Sequence, residues 1–413
     1  MTDKRLINAC WLLLMLVVGS IQADPIPISR VSGSAIGEYA EVFFEPGDRM
    51  AIEEVRRLFA DNAGIKADSS ILNFGIGAEP HWLNFVVDNP TETTINKVFS
   101  VEAAWLDNLA IYLYQDGEQQ AEYAMGDSLV QTDRPIDSRF YAVEYAFKPG
   151  KTSIYLRIAG SDSMLLPVYL DDSAAFHQRF EFQDYSYGFL YGVLTTLLLY
   201  NLILFIRLYS APHLLYSLYL ASFIACNLAY TGHGFRWLWP QAIHWQQWAN
   251  SVLMIVVGIS GLVFASSFLK LRQTLPKLQW LVLGLCLIML LGLGGAYYTA
   301  QIQTALKSAF VFIVLFSLVM VLLGVLAYRA GNPLAKIFLP ATVIAALTAT
   351  ITALSVANIV PYSIWTYRAV DFGIVIEAIL FALALAEQSR RRDLEHQPQQ
   401  TAHIETLIGL NHK

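Results

Sequence analysis

One carboxylate lies well inside a long apolar run of this sequence, at Glu377. A charged side chain at the centre of a membrane helix costs on the order of 3 kcal/mol, so such a residue marks a structural hydrogen bond or a polar switch. Asn201 and Asn227, inside two other apolar runs, are the polar partners that the sequence offers. We predict an intramembrane relay that involves Glu377, Asn201 and Asn227. The alternative is that Glu377 holds helices together without a signalling role.

Residue combinations that support catalysis are missing from the apolar runs. They contain no His cluster, no paired carboxylates and no Ser/His set, and the last run, Ala369–Glu387, has no Lys for a retinal Schiff base. The Asp171-Asp172 pair offers carboxylates to a divalent cation, but no calcium-loop spacing surrounds it. The sequence therefore predicts a protein that is not an enzyme and has no cofactor and no metal site.

Seven apolar runs fill the C-terminal half of the chain. Each holds roughly 18 to 26 residues, enough to cross a hydrocarbon core of about 30 Å. Only 15% of the whole chain is charged, whereas soluble proteins carry about 25%. We predict a seven-helix transmembrane bundle over residues 181–388. The predicted spans are Tyr187–Ile206, His213–Tyr230, Trp248–Phe268, Leu278–Tyr298, Gln303–Tyr328, Leu334–Ala357 and Ala369–Glu387.

The N-terminus has the pattern of a secretory signal peptide over residues 1–23. Lys4 and Arg5 precede a short apolar run that ends in small residues at Ala23. An uncleaved anchor is the alternative. Residues 24–180 then hold 24 acidic and 12 basic side chains, a net charge of −12, which disfavours nucleic acid and other polyanions as ligands.

Short β-rich runs separated by turn residues characterise this acidic segment. Several strands with turns at this spacing indicate an all-β sandwich, with a jelly roll as the candidate topology. One helix, about Ala51 to Phe59, interrupts the pattern. The segment has no cysteine, so its core must be stable without disulfides. The predicted strands are 82–87, 109–114, 141–147 and 153–158.

Short motifs along most of the chain resemble a known receptor family. Their order and spacing are similar to those of bacterial seven-transmembrane receptors with diverse intracellular signalling modules, in the form that carries the type 2 extracellular domain. The resemblance covers about residues 38 to 390. The motifs are Tyr39-Ala40-Glu41-Val42, Trp82-Leu83-Asn84-Phe85, Gly126-Asp127 with Arg134-Pro135, Tyr155-Leu156-Arg157, Tyr191-Gly192, Leu199-Tyr200-Asn201, Leu215-Tyr216, Leu238-Trp239-Pro240, Ile376-Glu377-Ala378 and Leu383-Ala384-Leu385-Ala386.

The resemblance implies a carbohydrate-binding-like fold for the sensor domain, and therefore a small periplasmic ligand, with a sugar as the natural candidate. Sugar rings stack on exposed aromatic faces, and Trp82, Trp105 and Tyr114 are the candidate ligand-binding residues. Each of them would serve equally well in the core of a sandwich. The resemblance also implies signal transduction to a cytoplasmic output.

Basic residues favour a cytoplasmic C-terminus. The predicted inner loops and tail carry nine Arg or Lys, against three on the outer side, as the positive-inside rule requires. This topology places a multi-pass protein in the bacterial inner membrane, with a periplasmic N-terminal domain. A Trp cluster would then lie at the outer interface, either as an aromatic belt or as a docking surface. Its members are Trp237, Trp239, Trp245 and Trp248.

The cytoplasmic tail, 389–413, is short. We expect Pro398 to end its helix, and the tail contains no cyclase signature, kinase glycine box or phosphoacceptor helix. The signal would pass to a separate cytoplasmic signalling protein or to a missing output domain. A homodimer is compatible with such a relay. A membrane transporter or an accessory membrane subunit is the alternative function.

Overall fold

The computed structural model describes residues 24–30, 32–47, 49–356 and 359–411, and for residues 76 and 391–411 it describes the backbone alone. The predicted signal peptide lies outside the described residues. The described chain separates into two compact units. The first contains the residues up to Glu181 together with Phe235–Ile243, and the second contains Phe182–Gly234 and the residues from His244 onward.

Most of the first unit is β-structure, which confirms the predicted β-sheet domain. A seven-stranded sheet has the order β3-β2-β5-β10-β7-β8, with β1 parallel to β5. A second sheet has the order β12-β6-β9, and β4 pairs with β11. The strands are β1 (Ile26–Pro27), β2 (Glu41–Phe44), β3 (Ile65–Lys66), β4 (Leu72–Ile76), β5 (His81–Asn89), β6 (Ile95–Val101), β7 (Asn108–Gln115), β8 (Glu118–Met125), β9 (Tyr141–Phe147), β10 (Gly150–Ala159), β11 (Ser163–Leu166) and β12 (Val168–Asp171).

The core of this unit forms where apolar side chains of both sheets meet. Leu83 pairs with Leu156 and Phe85 with Ile154 in the β5–β10 register, and all four side chains are buried. The Phe85 ring packs edge to face on Phe99 of the second sheet, with 5.8 Å between centroids. Such alternating residues bury one face of each strand, so the sandwich needs no disulfide.

A short helix, α1 (Ile52–Ala60), covers part of the larger sheet. Its buried residues Val55 and Phe59 pack in one cluster with Trp82 and Tyr155. These two positions are four residues apart, so they lie on the same face of the helix. Short 3₁₀ turns occur at Gly37–Tyr39 and Gln131–Asp133.

Within the part of the chain that the structure describes, seven helices are long and apolar enough to cross a membrane, as predicted. Shorter helices lie between several of them. In chain order the helices after α1 are α2 (Ser173–Leu208), α3 (Ala211–Tyr230), α4 (His233–Trp237), α5 (Ile243–Phe268), α6 (Leu271–Thr274), α7 (Pro276–Tyr298), α8 (Ile302–Arg329), α9 (Ala335–Val356), α10 (Ile364–Tyr367) and α11 (Ala369–Asn411).

The structure corrects the sequence prediction at both ends of the helical region. The first long helix begins at Ser173, well before the start of the predicted span at Tyr187, so the chain is already helical directly after β12. The last helix continues through Pro398 to Asn411, although a helix end was expected there. A proline inside a helix removes one backbone hydrogen bond, and in this chain the helix tolerates that loss.

A buried ion pair fixes the loop that follows β2. Glu45 is fully buried, and its carboxylate accepts hydrogen bonds from the Arg157 guanidinium at 2.6 and 2.9 Å, from the Met50 backbone N–H and from the Trp82 indole. Burial acts to raise the pKa of Glu45, but these hydrogen bonds outweigh it and hold that pKa below its usual value. The carboxylate is therefore charged and fully partnered.

Replacement of Arg157 should destabilise this domain. Arg157→Met leaves the Glu45 carboxylate buried without its cation, and loss of one member of a buried pair costs about 3–5 kcal/mol. Thermal unfolding of the full chain in detergent measures the effect. Lys151→Met, at an exposed position of the same strand, is the control and should change stability by less than about 0.5 kcal/mol. Equal losses in the two variants would contradict this role.

Candidate functional site

Buried polar side chains connect three of the long helices, α2, α3 and α11. They form three groups, which we call the outer, middle and inner clusters in order along α11 from its first turn. All three clusters lie within the second unit. Other helices also carry buried polar groups, such as Ser260 of α5, which bonds Ser222. Among the described residues of this unit, the buried Asp, Glu, His and Arg side chains all belong to the three clusters.

The outer cluster is built on Asp371. Its carboxylate accepts from the Asn227 amide at 2.9 Å and from the Arg368 guanidinium at 3.0 Å. Arg368 also donates to the Ser186 hydroxyl, and its charge lies 3.8 Å above the Tyr187 ring. The cluster therefore joins α2, α3 and the first turn of α11 through one ion pair.

A second set of bonds extends the outer cluster along α2. The Tyr191 hydroxyl donates to the Asn227 side-chain oxygen at 2.9 Å. The His233 ring contacts the Asp184 carboxylate at 3.1 Å and the Thr231 hydroxyl at 2.8 Å. His233 is fully buried, so the end of α3 is held to α2 by groups that have little contact with water.

The middle cluster contains Glu377, which is only 2% exposed. Its carboxyl oxygen accepts from the Tyr219 hydroxyl at 2.9 Å. One turn away on α3, the Tyr216 hydroxyl donates to the Ala378 carbonyl at 2.5 Å. Both tyrosine rings pack against Phe264 of α5, so these hydroxyls are positioned by a rigid aromatic stack.

The inner cluster is centred on His213 at the start of α3. Its Nδ1 contacts the Asn201 amide oxygen at 3.0 Å, and its Nε2 contacts the Ser389 hydroxyl at 3.0 Å. Asn201 and His213 are buried. This imidazole therefore joins α2 and α3 to α11 just before α11 continues into the tail.

The three predicted relay residues thus occupy three different clusters. Glu377 bonds to Tyr219 and makes no hydrogen bond with Asn201 or Asn227 among the described contacts. The sequence reasoning missed Tyr219, Arg368 and His213. A sequence signal was present for His213 and Tyr219: positions 213, 216, 219 and 227 of α3 are polar at helical spacing and form one stripe.

The predicted ligand-binding aromatic residues are largely buried in the first unit. Trp82, Trp105 and Tyr114 are 1%, 7% and 6% exposed. Their polar atoms bond within the domain: Trp82 to Glu45, Trp105 to the Ser163 carbonyl and Tyr114 to Gln119. The ligand-binding role of these three residues stays a prediction. Their burial argues against it.

Three carboxylates approach one another at the end of β8. Oxygen atoms of Asp107, Asp127 and Asp162 all lie within 4.8 Å of one another, a donor set that could hold a divalent cation. Gly126 allows this approach, because a Cβ at that position would overlap the Asp107 carbonyl. Burial and the nearby Asp107 carboxylate raise the pKa of Asp162 to about 8.

The Asp171-Asp172 pair is engaged in ion pairs. Asp171 contacts the Arg179 guanidinium at 2.6 Å, and Asp172 contacts Lys97 at 2.8 Å. Arg179 also bonds Glu102 at 2.7 Å. Because Arg179 lies in the second turn of α2, these bonds fasten the beginning of that helix within the first unit.

The segment Phe235–Ile243 belongs to the first unit, although it lies in the chain between α3 and α5. Within that unit, Arg236 bonds the Asp137 carboxylate at 3.0 and 3.2 Å. The Gln131 N–H donates to the Pro240 carbonyl at 3.1 Å. Trp237 and Trp239 of the predicted Trp cluster lie in this segment, whereas Trp245 and Trp248 belong to the second unit.

A β-sheet domain followed by seven apolar helices with buried polar contacts is the architecture of a multi-pass membrane protein, and the family comparison identifies the N-terminal domain as extracellular. Comparison with protein families gives two matches. The family model described as 7TM diverse intracellular signalling matches residues 183–388, and the model described as 7TMR-DISM extracellular 2 matches residues 37–172. The chain therefore belongs to the family of seven-transmembrane receptors with diverse intracellular signalling, which confirms the predicted family. No curated protein matches the chain.

The outer cluster should depend on charge balance. Arg368→Gln leaves the Asp371 carboxylate buried without a cation, which should cost about 3–5 kcal/mol. The double variant Arg368→Gln/Asp371→Asn removes both charges and should recover most of the loss. Thermal unfolding of the full chain in detergent measures both, with Arg329→Gln at an exposed helix end as the control. A double variant at least as unstable as Arg368→Gln alone would contradict the pairing.

Stability of the sensor domain should fall as pH rises. The folded pKa of Asp162, about 8, lies above the value of about 3.9 in an unfolded chain, so the folded state binds more protons between these values. The contribution of Asp162 to the free energy of unfolding is then fully present below about pH 4 and is lost progressively up to about pH 8. Asp162→Asn should unfold at a higher temperature than the parent at about pH 9, with a smaller difference at about pH 5. Asp68→Asn, at an exposed position, is the control, and a difference that does not vary with pH would overturn this assignment.

Proposed function

We propose that this protein is a signal-transducing receptor that binds a small periplasmic ligand and relays the event to a cytoplasmic output. The observation that carries the proposal is the set of polar clusters on α2, α3 and α11. The chain leaves the sensor domain in α2, and α11 leads into the tail. A relay between those two ends needs groups that can exchange partners, and the clusters supply them.

The proposed relay is a shift between two sets of buried hydrogen bonds. A polar group inside an apolar bundle must have a partner, so a helix that moves has to exchange one partner for another. The conformations are therefore discrete, and a ligand that prefers one of them changes their populations. The contact between His213 and Ser389 lies at the beginning of the tail, so a change there would reach the tail directly.

Two connections of the sensor domain support this coupling. The first turns of α2 are fastened within the first unit by Arg179, which bonds Asp171 and Glu102. The segment Phe235–Ile243 is held in the same unit by the Arg236–Asp137 pair. A change in the sensor domain would therefore act on α2, and through that segment on the ends of α3 and α5.

The proposed topology places the sensor domain in the periplasm after signal-peptide removal and the tail in the cytoplasm of a bacterium. Seven crossings and the excess of Arg and Lys on the inner side support it. A carbohydrate remains the candidate ligand on the resemblance of the sensor domain. The net charge of −12 for residues 24–180 favours neutral or cationic ligands over anionic ones.

The output would be carried by a separate cytoplasmic signalling protein or by an output domain that follows the tail. A homodimer would bring two tails together and suits such an output. We propose no catalytic role for the chain itself. The alternative function, transport, would require a path for a solute through the bundle, and the clusters fasten α2, α3 and α11 together instead of lining such a path.

A photo-reactive residue in place of His403 tests the proposed relay in native cells. We expect it to capture a cytoplasmic signalling protein, whereas the same residue in place of Trp280, which is exposed on α7, should not. Glu377→Gln should leave the amount of protein unchanged but alter the capture yield by at least about fivefold, the usual lower range of coupling. Thr350→Val, on the exposed face of α9, is the matched control.

Two results would contradict the proposal. Equal capture yields in the parent and the Glu377→Gln variant would remove Glu377 from the relay. Capture of no signalling protein, together with solute uptake by vesicles that contain the chain, would favour the transporter.

A further inference from the structure

A cavity of about 340 Å³ opens beside the turn that joins α5 to α7. Its walls combine apolar side chains, uncharged hydrogen-bonding groups and two cations. The lining residues are Leu215, Val263, Ser266, Ser267, Lys270, Arg272, Gln273 and Gln279. All of them belong to the second unit.

The cations of this cavity have no acidic partner among the described side chains. Lys270 and Arg272 are exposed and form no ion pair with the described residues. None of the lining residues is Asp or Glu, and the sequence from 266 to 280 contains no acidic residue. Residues 205–215 and 327–338, which hold the other turns predicted on this side, also lack Asp and Glu. The positive charge at the cavity is therefore available to an anion.

The turn that carries these cations is fixed by buried contacts. Leu271 is fully buried, and the Asn332 side chain donates to the Leu269 carbonyl at 2.9 Å. Lys270 adopts a left-handed conformation with φ of 53°, which glycine would adopt with less strain. A lysine is therefore held at a position where the backbone favours glycine, and strain of this kind is common at binding sites.

Hydrogen-bond donors stand beside the two cations. The Ser266 hydroxyl donates to the Gln279 side-chain oxygen, and the Gln279 amide nitrogen makes no hydrogen bond with the described residues. Ser267 and Gln273 add further polar groups. A cation pair with neutral donors is the combination that recognises a phosphate oxygen.

Apolar side chains also line the cavity. They are Leu215 of α3 and Val263 of α5. Trp280, next to Gln279, is 74% exposed, and exposed tryptophans in membrane proteins lie at the level of the lipid headgroups. An anion bound here would therefore stand beside hydrocarbon.

We propose that this cavity binds the phosphodiester of an anionic phospholipid from the cytoplasmic leaflet. Lys270 and Arg272 contact the phosphate, the neutral donors contact the headgroup, and Leu215 and Val263 contact the start of the acyl chains. A soluble phosphate ester offers the same anion but leaves the apolar wall unfilled. This inference rests on the proposed function in one respect: the assignment to the cytoplasmic leaflet follows from the proposed topology. The chemistry of binding is independent of that topology.

Native mass spectrometry of the purified full chain tests this site. The chain in detergent is titrated with phosphatidylglycerol, which is anionic, and with phosphatidylcholine, which carries the same phosphodiester without net charge. We expect retention of phosphatidylglycerol over phosphatidylcholine. Since each cation near an anionic lipid contributes about fivefold, Lys270→Gln should weaken retention about fivefold and Lys270→Gln/Arg272→Gln about 25-fold.

Two further variants separate binding from folding and from surface charge. Lys270→Gly should weaken lipid retention as much as Lys270→Gln while leaving the unfolding temperature in neutral detergent equal or higher, because glycine relieves the backbone strain. Lys336→Gln removes an exposed cation from the beginning of α9 and should leave retention unchanged. If Lys336→Gln were as damaging as Lys270→Gln, the selectivity would belong to the general surface charge and the site would be wrong.

Soluble anions distinguish the source of the phosphate. Inorganic phosphate and glycerol 3-phosphate at millimolar concentration should not displace phosphatidylglycerol. Displacement at that concentration would overturn the lipid assignment in favour of a soluble phosphate ester. Loss of lipid selectivity with intact capture of a partner at position 403 would refute this site alone, whereas the opposite result would refute the proposed relay alone.

Discussion

A carboxylate inside an apolar bundle must be partnered, and the helical unit is arranged around that requirement. Asp371 and Glu377 lie two turns apart on α11, and each is met by side chains of α3. Desolvation of an unpaired charge would cost several kcal/mol, so α3 and α11 have little freedom to slide while these bonds exist. Arg368 then draws α2 into the same arrangement through Ser186.

The β-sheet domain also has buried carboxylates that need partners, and arginines provide them. The domain contains no cysteine, so these ion pairs, and not disulfides, cross-connect its elements. Two of its arginines are placed where acidic groups are buried: Arg157 at Glu45, and Arg179 at Glu102 and Asp171. The remaining negative charge is therefore mostly at the surface. The same device holds the N-terminal turns of α2 within the first unit, since Arg179 lies in those turns and its partners belong to the β-sheet domain.

Hydropathy and strand patterning predicted most of the elements, because they depend on composition over many residues. The seven helices and the strands around 82–87 and 153–158 follow from such averages. Single residues were harder. Glu377 was recognisable as a buried carboxylate, but its bond to Tyr219 depends on the rotation of α3 about its axis, which apolar sequence on all faces leaves open. The end of α11 was also hard to predict from one residue. A proline removes one backbone hydrogen bond, and that loss alone does not determine where a long helix ends.

The size of the polar clusters suits a switch. To change a two-state equilibrium from 1:99 to 99:1 requires about 5.5 kcal/mol of preference. One hydrogen bond to a charged group contributes about 1.5–3 kcal/mol, so two or three such bonds that differ between the states supply that amount. Asp371 alone accepts two. In the proposed relay, a receptor of this construction would need no large rearrangement: an exchange of partners at α2, α3 and α11 would be sufficient. The contact of His213 with Ser389 would then bring the change to the beginning of the tail.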